Sequence, residues 1–116
     1  MDKVFEKLKI YGADIEGIMG RFVNDVELYH ACLITYVTDQ AFVKLGEALR
    51  SKNYDSAFEY AHALKGTTGN MGLTPLYDIT CALVEDLRKN QYANVLRYYG
   101  QILKHLNQIK IIIQID

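Results

Sequence analysis

Apolar residues recur every three or four positions along nearly the whole chain, and no stretch alternates as a half-buried strand would. The spacing predicts helices joined by short turns, and a lone proline, Pro75, agrees with that reading. Two short segments come first, Lys3 to Ile10 with Val4, Phe5 and Leu8, then Asp14 to Met19 with Ile15 and Ile18, divided at Tyr11-Gly12. Asn24 followed by Glu27 has the form of a capping box, after which Val26, Tyr29, Leu33, Tyr36 and Val37 share one face of a helix over about 25–37. Thr38-Asp39 can start the next helix, whose Phe42, Leu45, Ala48 and Leu49 keep the period up to Ser51-Lys52-Asn53. Over 54–71, Tyr54, Ala57, Ala61, Leu64, Thr68 and Met71 form a continuous stripe, and Gly72 is placed to end it. Thr74-Pro75 signals a new start, with Leu76, Ile79, Leu83 and Leu87 as its buried face. Asn90 can cap a last helix carrying Leu96, Tyr99, Ile102, Leu103, Leu106, Ile109 and Ile113. The expected fold is all-α: an antiparallel up-and-down four-helix bundle with short N-terminal helices capping one end.

Composition narrows this picture without altering it. With 116 residues, half of them apolar, the chain has the material for one core, and residues 1–116 are expected to form one domain. Thirteen Lys and Arg against fourteen Asp and Glu leave a net charge of −1, without the basic field that nucleic-acid phosphates require. The nine tyrosines, set mostly at helical core spacing with no basic interleaving, are expected to pack and not to stack on bases. Cys32 and Cys81 lie within apolar-periodic segments and lack Cys-x-x-Cys spacing, so buried, reduced thiols and a cytoplasmic setting are expected. No apolar run approaches the roughly 18 residues of a membrane span. The cluster Ile111-Ile112-Ile113 with Ile115 is expected to pack along the bundle of a monomer, with dimerisation as the alternative.

The candidate chemistry lies on the helix over 54–71. At about 100° per residue, His62 falls about 160° from Leu64 and should reach water. Lys65 follows at i+3, Gly66 at i+4 and Gly69 at i+7, so an imidazole, a cation and two residues without side chains share one exposed face. Each interior glycine costs roughly 1 kcal/mol relative to alanine, a cost that room for an approaching macromolecule would justify. A solvated imidazole is largely neutral near pH 7, so one ring nitrogen keeps a lone pair for attack on phosphorus. Lys65 can neutralise part of the charge spreading over the phosphoryl oxygens, and the remaining electrophilic help, Mg²⁺, is expected on the partner, since the chain offers no cofactor site of its own.

The run Ala61-His62-Ala63-Leu64-Lys65-Gly66-Thr67-Thr68-Gly69-Asn70-Met71-Gly72-Leu73 resembles the signature of the histidine-containing phosphotransfer (HPt) domain, His-x-Leu-Lys-Gly followed by small residues and Asn-x-Gly. The likeness extends to Arg21-Phe22, to the helix from 25 onward and to Leu83-Val84-Glu85, covering most of the chain through about residue 90; the last helix is less diagnostic. The resemblance implies His62 as phosphoacceptor, Lys65 as its electrostatic support and Gly66 as the residue keeping space open beside it. It implies a phosphorelay intermediate in two-component signalling, exchanging phosphate with response-regulator receiver domains downstream of a hybrid sensor histidine kinase. Such a protein acts stoichiometrically and is not an enzyme; the absence of a P-loop or kinase-type glycine loop agrees. Partner docking is implied on apolar surface around the histidine, with Phe58, Gly69, Ile15, Ile18, Met19 and Phe22 as candidates.

His30 and His105 stand on other helices without acidic or cysteine partners at ligand spacing and read as ordinary boundary residues. Asn70 and Gly72 read as shaping the helix end, and Lys7, Lys9, Glu85, Asp86, Arg88 and Lys89 as solvated faces. Two other functions fit the same pattern. A phosphate-independent module could dock a receiver or kinase as inhibitor or scaffold, and a metal bundle would require His30, His62 and His105 to converge.

Overall fold

The computed structural model describes residues 2–114, so Ile115 of the Ile-rich segment lies outside the described residues. Within them the chain is all-helical, with seven helices: α1 (Asp2–Tyr11), α2 (Ile15–Arg21), α3 (Val26–Val37), α4 (Ala41–Arg50), α5 (Tyr54–Asn70), α6 (Thr74–Arg88) and α7 (Val95–Ile112). Helix α5 packs against both α4 and α6, α7 packs on α6 and more lightly on α4, and α1 touches α2 and α7. The expected stripes largely face one core: Tyr29, Leu33, Tyr36 and Val37 of α3, Phe42, Leu45 and Leu49 of α4, Ala57, Ala61, Leu64 and Thr68 of α5, and Leu76, Leu83 and Leu87 of α6 are all buried. Helix α7 departs from expectation. Val95 is buried where Leu96 and Leu103 point to solvent, because the buried stripe centres on Val95, Tyr99, Ile102, Leu106 and Ile109 and those two leucines stand on its flank. In the Ile-rich segment Ile113 is buried, Ile112 half-buried and Ile111 exposed.

Several helix starts lie elsewhere than the capping signals suggest. The N-cap of α3 is Asp25, whose carboxylate accepts from the Leu28 N–H at 3.0 Å. Asn24 takes up the left-handed conformation, φ 60°, and its N–H donates to Met19 O. Asn90 behaves alike, with φ 56° just past the end of α6, and the last helix begins five residues later, at Val95. Asparagine tolerates the left-handed region better than other non-glycine residues, so a sequence signal for a helix start here serves a helix stop. Thr74 is the first residue of α6 and makes no capping bond, while Pro75 lies in the first turn as expected. Asp39 and Asn53 do bond to the first turns of α4 and α5, through Ala41 N and Ser56 N.

Three buried tyrosines use their hydroxyls as ties. Tyr29 donates to Met71 O at 2.8 Å, Tyr36 pairs with the Thr68 hydroxyl at 2.6 Å, and Tyr99 donates to Phe42 O at 2.8 Å. The first two pin α3 to the C-terminal part of α5. Arg21 Nε donates to Asn70 O at 3.0 Å and the Asp14 N–H to Gly72 O at 2.8 Å. The carbonyls of Asn70, Met71 and Gly72, at and just past the end of α5, are thus taken by α2, α3 and the turn before α2. The helix that carries His62 is anchored by the N-terminal segments at one end and by Asn53 at the other.

Candidate functional site

Helix α5 turns Ala57, Ala61, Leu64 and Thr68 inward, and that rotation places His62 in solvent with Lys65 half-buried beside it. His62, Lys65, Gly66, Gly69, Asn70 and Tyr77 line one shallow depression of about 330 Å³. A Cβ built on Gly66 would meet nothing within 4 Å, so no internal contact demands glycine there. Gly69 is different: a Cβ would approach Tyr77 Cε1 at 3.1 Å, because the Tyr77 ring of α6 lies against it. Gly72 is different again, with φ +70° and the Ile18 side chain where its Cβ would be. The two glycines read together from the sequence therefore have separate reasons, one open to the outside and one filled by the protein itself.

On the N-terminal side of His62, Phe58 stacks one turn away with its ring 12° from the imidazole plane and centroids 5.7 Å apart. Arg88, from the end of α6, places its guanidinium carbon 5.8 Å from the centre of the Phe58 ring and pairs with Glu85 at 3.4 Å. Arg88 is exposed, as a solvated charge should be, and in addition reaches across to α5. Tyr77 is the other residue missed. The Cys81 thiol one turn on pushes the Tyr77 hydroxyl above the ordinary phenol range. Neither residue carries a local sequence signal, since each meets α5 only through the packing of α6.

The chain matches the family model described as Hpt domain over residues 38–110. It belongs to the Hpt domain family. No curated protein and no solved structure matches it. The matched span begins just before α4 and takes in nearly all of α7, so the family extends past the point where the signature is legible, while α1 to α3 lie ahead of it. Hpt domains are phosphotransfer modules of two-component phosphorelays that interact with receiver domains and kinases, and this chain shares in that role. No helix among the described residues is long and apolar enough to cross a membrane.

The expected docking residues do not all reach the surface. Ile18 is fully buried, filling the space beside Gly72, and offers nothing to a partner. Ile15, Met19 and Phe22 are half-buried against the core, with Phe22 edge-on to Tyr29 at 5.1 Å. Cys32 and Cys81 are free and half-buried, less enclosed than expected. His30 encloses an unpartnered Nε2, His105 Nδ1 lies 2.9 Å from the Tyr11 hydroxyl, and among the described residues no group of three His, Cys, Asp or Glu side chains could hold a metal ion. The three histidines do not converge, which removes the metal-bundle reading.

Proposed function

We propose that His62 is the phosphoacceptor of a relay intermediate. A ring nitrogen attacks the phosphorus of a receiver's phospho-aspartate, the N–P bond forms as the acyl P–O bond breaks, and the aspartate leaves as carboxylate. A second receiver's aspartate then attacks the same phosphorus and restores the free imidazole. Lys65 neutralises charge on the equatorial oxygens, and Gly66 leaves room for the receiver's loops. Mg²⁺ is supplied by the receiver. The receiver docks over Ile15, Met19 and Phe22 beside the Gly69 depression, with a hybrid sensor kinase upstream. The observation that carries the reading is the exposed His62 sharing one depression with Lys65 and with a Gly66 that nothing inside the protein requires.

The same reading takes the whole chain as one monomeric unit in which α4 to α7 run up and down, capped by α1 and α2; the short connections between α4, α5 and α6 support it. The free thiols fit a reducing, cytoplasmic setting. The test is incubation of the protein and its His62→Gln variant with Mg²⁺ and a receiver domain loaded from acetyl phosphate. Acid-labile, base-stable label on the wild type alone is expected. Binding without label on either protein would make the chain a docking module of the scaffold or inhibitor kind.

A further inference from the structure

We infer that Phe58 is a positioning residue for His62, held in place by Arg88, and not part of the docking surface. The inference rests on His62 being the phosphoacceptor and names what orients its ring. The three groups form a ladder on one side of the site: Arg88 over Phe58 at 5.8 Å, and Phe58 over His62 at 5.7 Å with planes 12° apart. These separations lie within the ranges for cation–π contact and offset aromatic stacking. Glu85 steadies Arg88 from one turn earlier in α6, so the ladder is anchored on a second helix.

The ladder matters because of how an imidazole attacks. Its lone pair lies in the plane of the ring, so a neighbour stacked on one face leaves both nitrogens accessible while fixing the plane in which the lone pair points. In-line displacement at phosphorus requires that direction to oppose the leaving aspartate oxygen. An exposed histidine free to sample its rotamers would spend only part of its time so aligned, and small misplacements of a reacting group can cost about a hundredfold in rate. Phe58 stands on the N-terminal side of His62, and the depression with Lys65 and Gly66 on the C-terminal side. The stack therefore holds the imidazole beside the open space from which the phosphoryl group arrives.

The test measures single-turnover phosphotransfer from a receiver domain loaded from acetyl phosphate across a range of protein concentrations, which separates the rate at saturation from receiver affinity. For Phe58→Leu the saturated rate should fall about tenfold with affinity within about twofold, and labelling should still reach the wild-type end point. Phe58→Tyr, which keeps the ring, should transfer at close to the wild-type rate, and Arg88→Gln should slow transfer about threefold. In the unphosphorylated protein, NMR couplings should show one His62 side-chain rotamer in the wild type and averaging in Phe58→Leu. A wild-type rate in Phe58→Leu, or weakened affinity with the saturated rate unchanged, would overturn the inference and, in the second case, return Phe58 to the docking surface. A wild type that takes no label overturns the phosphoacceptor reading itself and this inference with it.

Discussion

Gly66, Gly69 and Gly72 lie within seven residues and differ in what a methyl group would meet at each: open space, the Tyr77 ring, and the Ile18 side chain at a left-handed backbone. Helical spacing shows that Gly66 and Gly69 share a face with His62, but it cannot show that Tyr77 of another helix already covers one of them. The distinction has opposite consequences for stability. Gly66→Ala should stabilise the protein by about 0.5–1 kcal/mol in urea unfolding, since it relieves the helix-interior cost of glycine without a clash. Gly72→Ala should destabilise it by more than 1 kcal/mol, because the left-handed backbone and the Ile18 contact both oppose a Cβ. Gly66→Leu should fold normally yet bind the receiver less well; transfer at the wild-type rate would contradict the role of Gly66 in keeping space open.

Among the elements, the stripe of α5 and its stop at Gly72 were legible because both are local signals, whereas Asn53, read as closing the preceding helix, caps the start of α5. The starts of α3 and α7 were not, because asparagine serves a helix start and a left-handed stop equally well, and only the packing of neighbouring turns decides between them. The cap of α3 can be tested directly. Asp25→Ala should cost about 1 kcal/mol through loss of its bond to the Leu28 N–H, whereas Asn24→Gly should leave stability unchanged or raise it. Urea midpoints of the two variants would discriminate, and the reverse order would place the cap at Asn24. The N-terminal segments also hold the end of α5: Arg21, Tyr29 and Asp14 take the carbonyls of Asn70, Met71 and Gly72, so fraying in α2 would be felt at Asn70 and Gly72 beside the site.

At the scale of the whole molecule, α1 is tied to α7 by the Tyr11 hydroxyl and His105 Nδ1, 2.9 Å apart. Burial pushes the Tyr11 hydroxyl up to about 12, so it stays protonated, and a neutral imidazole shares a hydrogen bond with it in either tautomer. The His105 pKa is lowered, first by burial and then by the Lys104 charge. Its contribution to stability is therefore fully present above the ordinary histidine value of about 6.5 and is lost as pH falls through that value toward the lower folded one, because the unfolded chain takes up the proton first. Urea unfolding followed from pH 7.5 to 5 should show a declining midpoint, and His105→Gln should flatten part of that decline; an equal slope in both proteins would remove His105 as a source. The all-helical class, the face on which His62 stands and the sharing of that face by His62, Lys65 and Gly66 were determined by the sequence alone, since periodicity and local caps act within a few residues of one helix. The stacking of Phe58 under Arg88, the filling of Gly69 by Tyr77, the burial of Ile18 and the exposure of Leu96 and Leu103 were decided only by the tertiary structure. Each depends on how one helix is rotated and seated against another, and no pattern within a single helix encodes that contact.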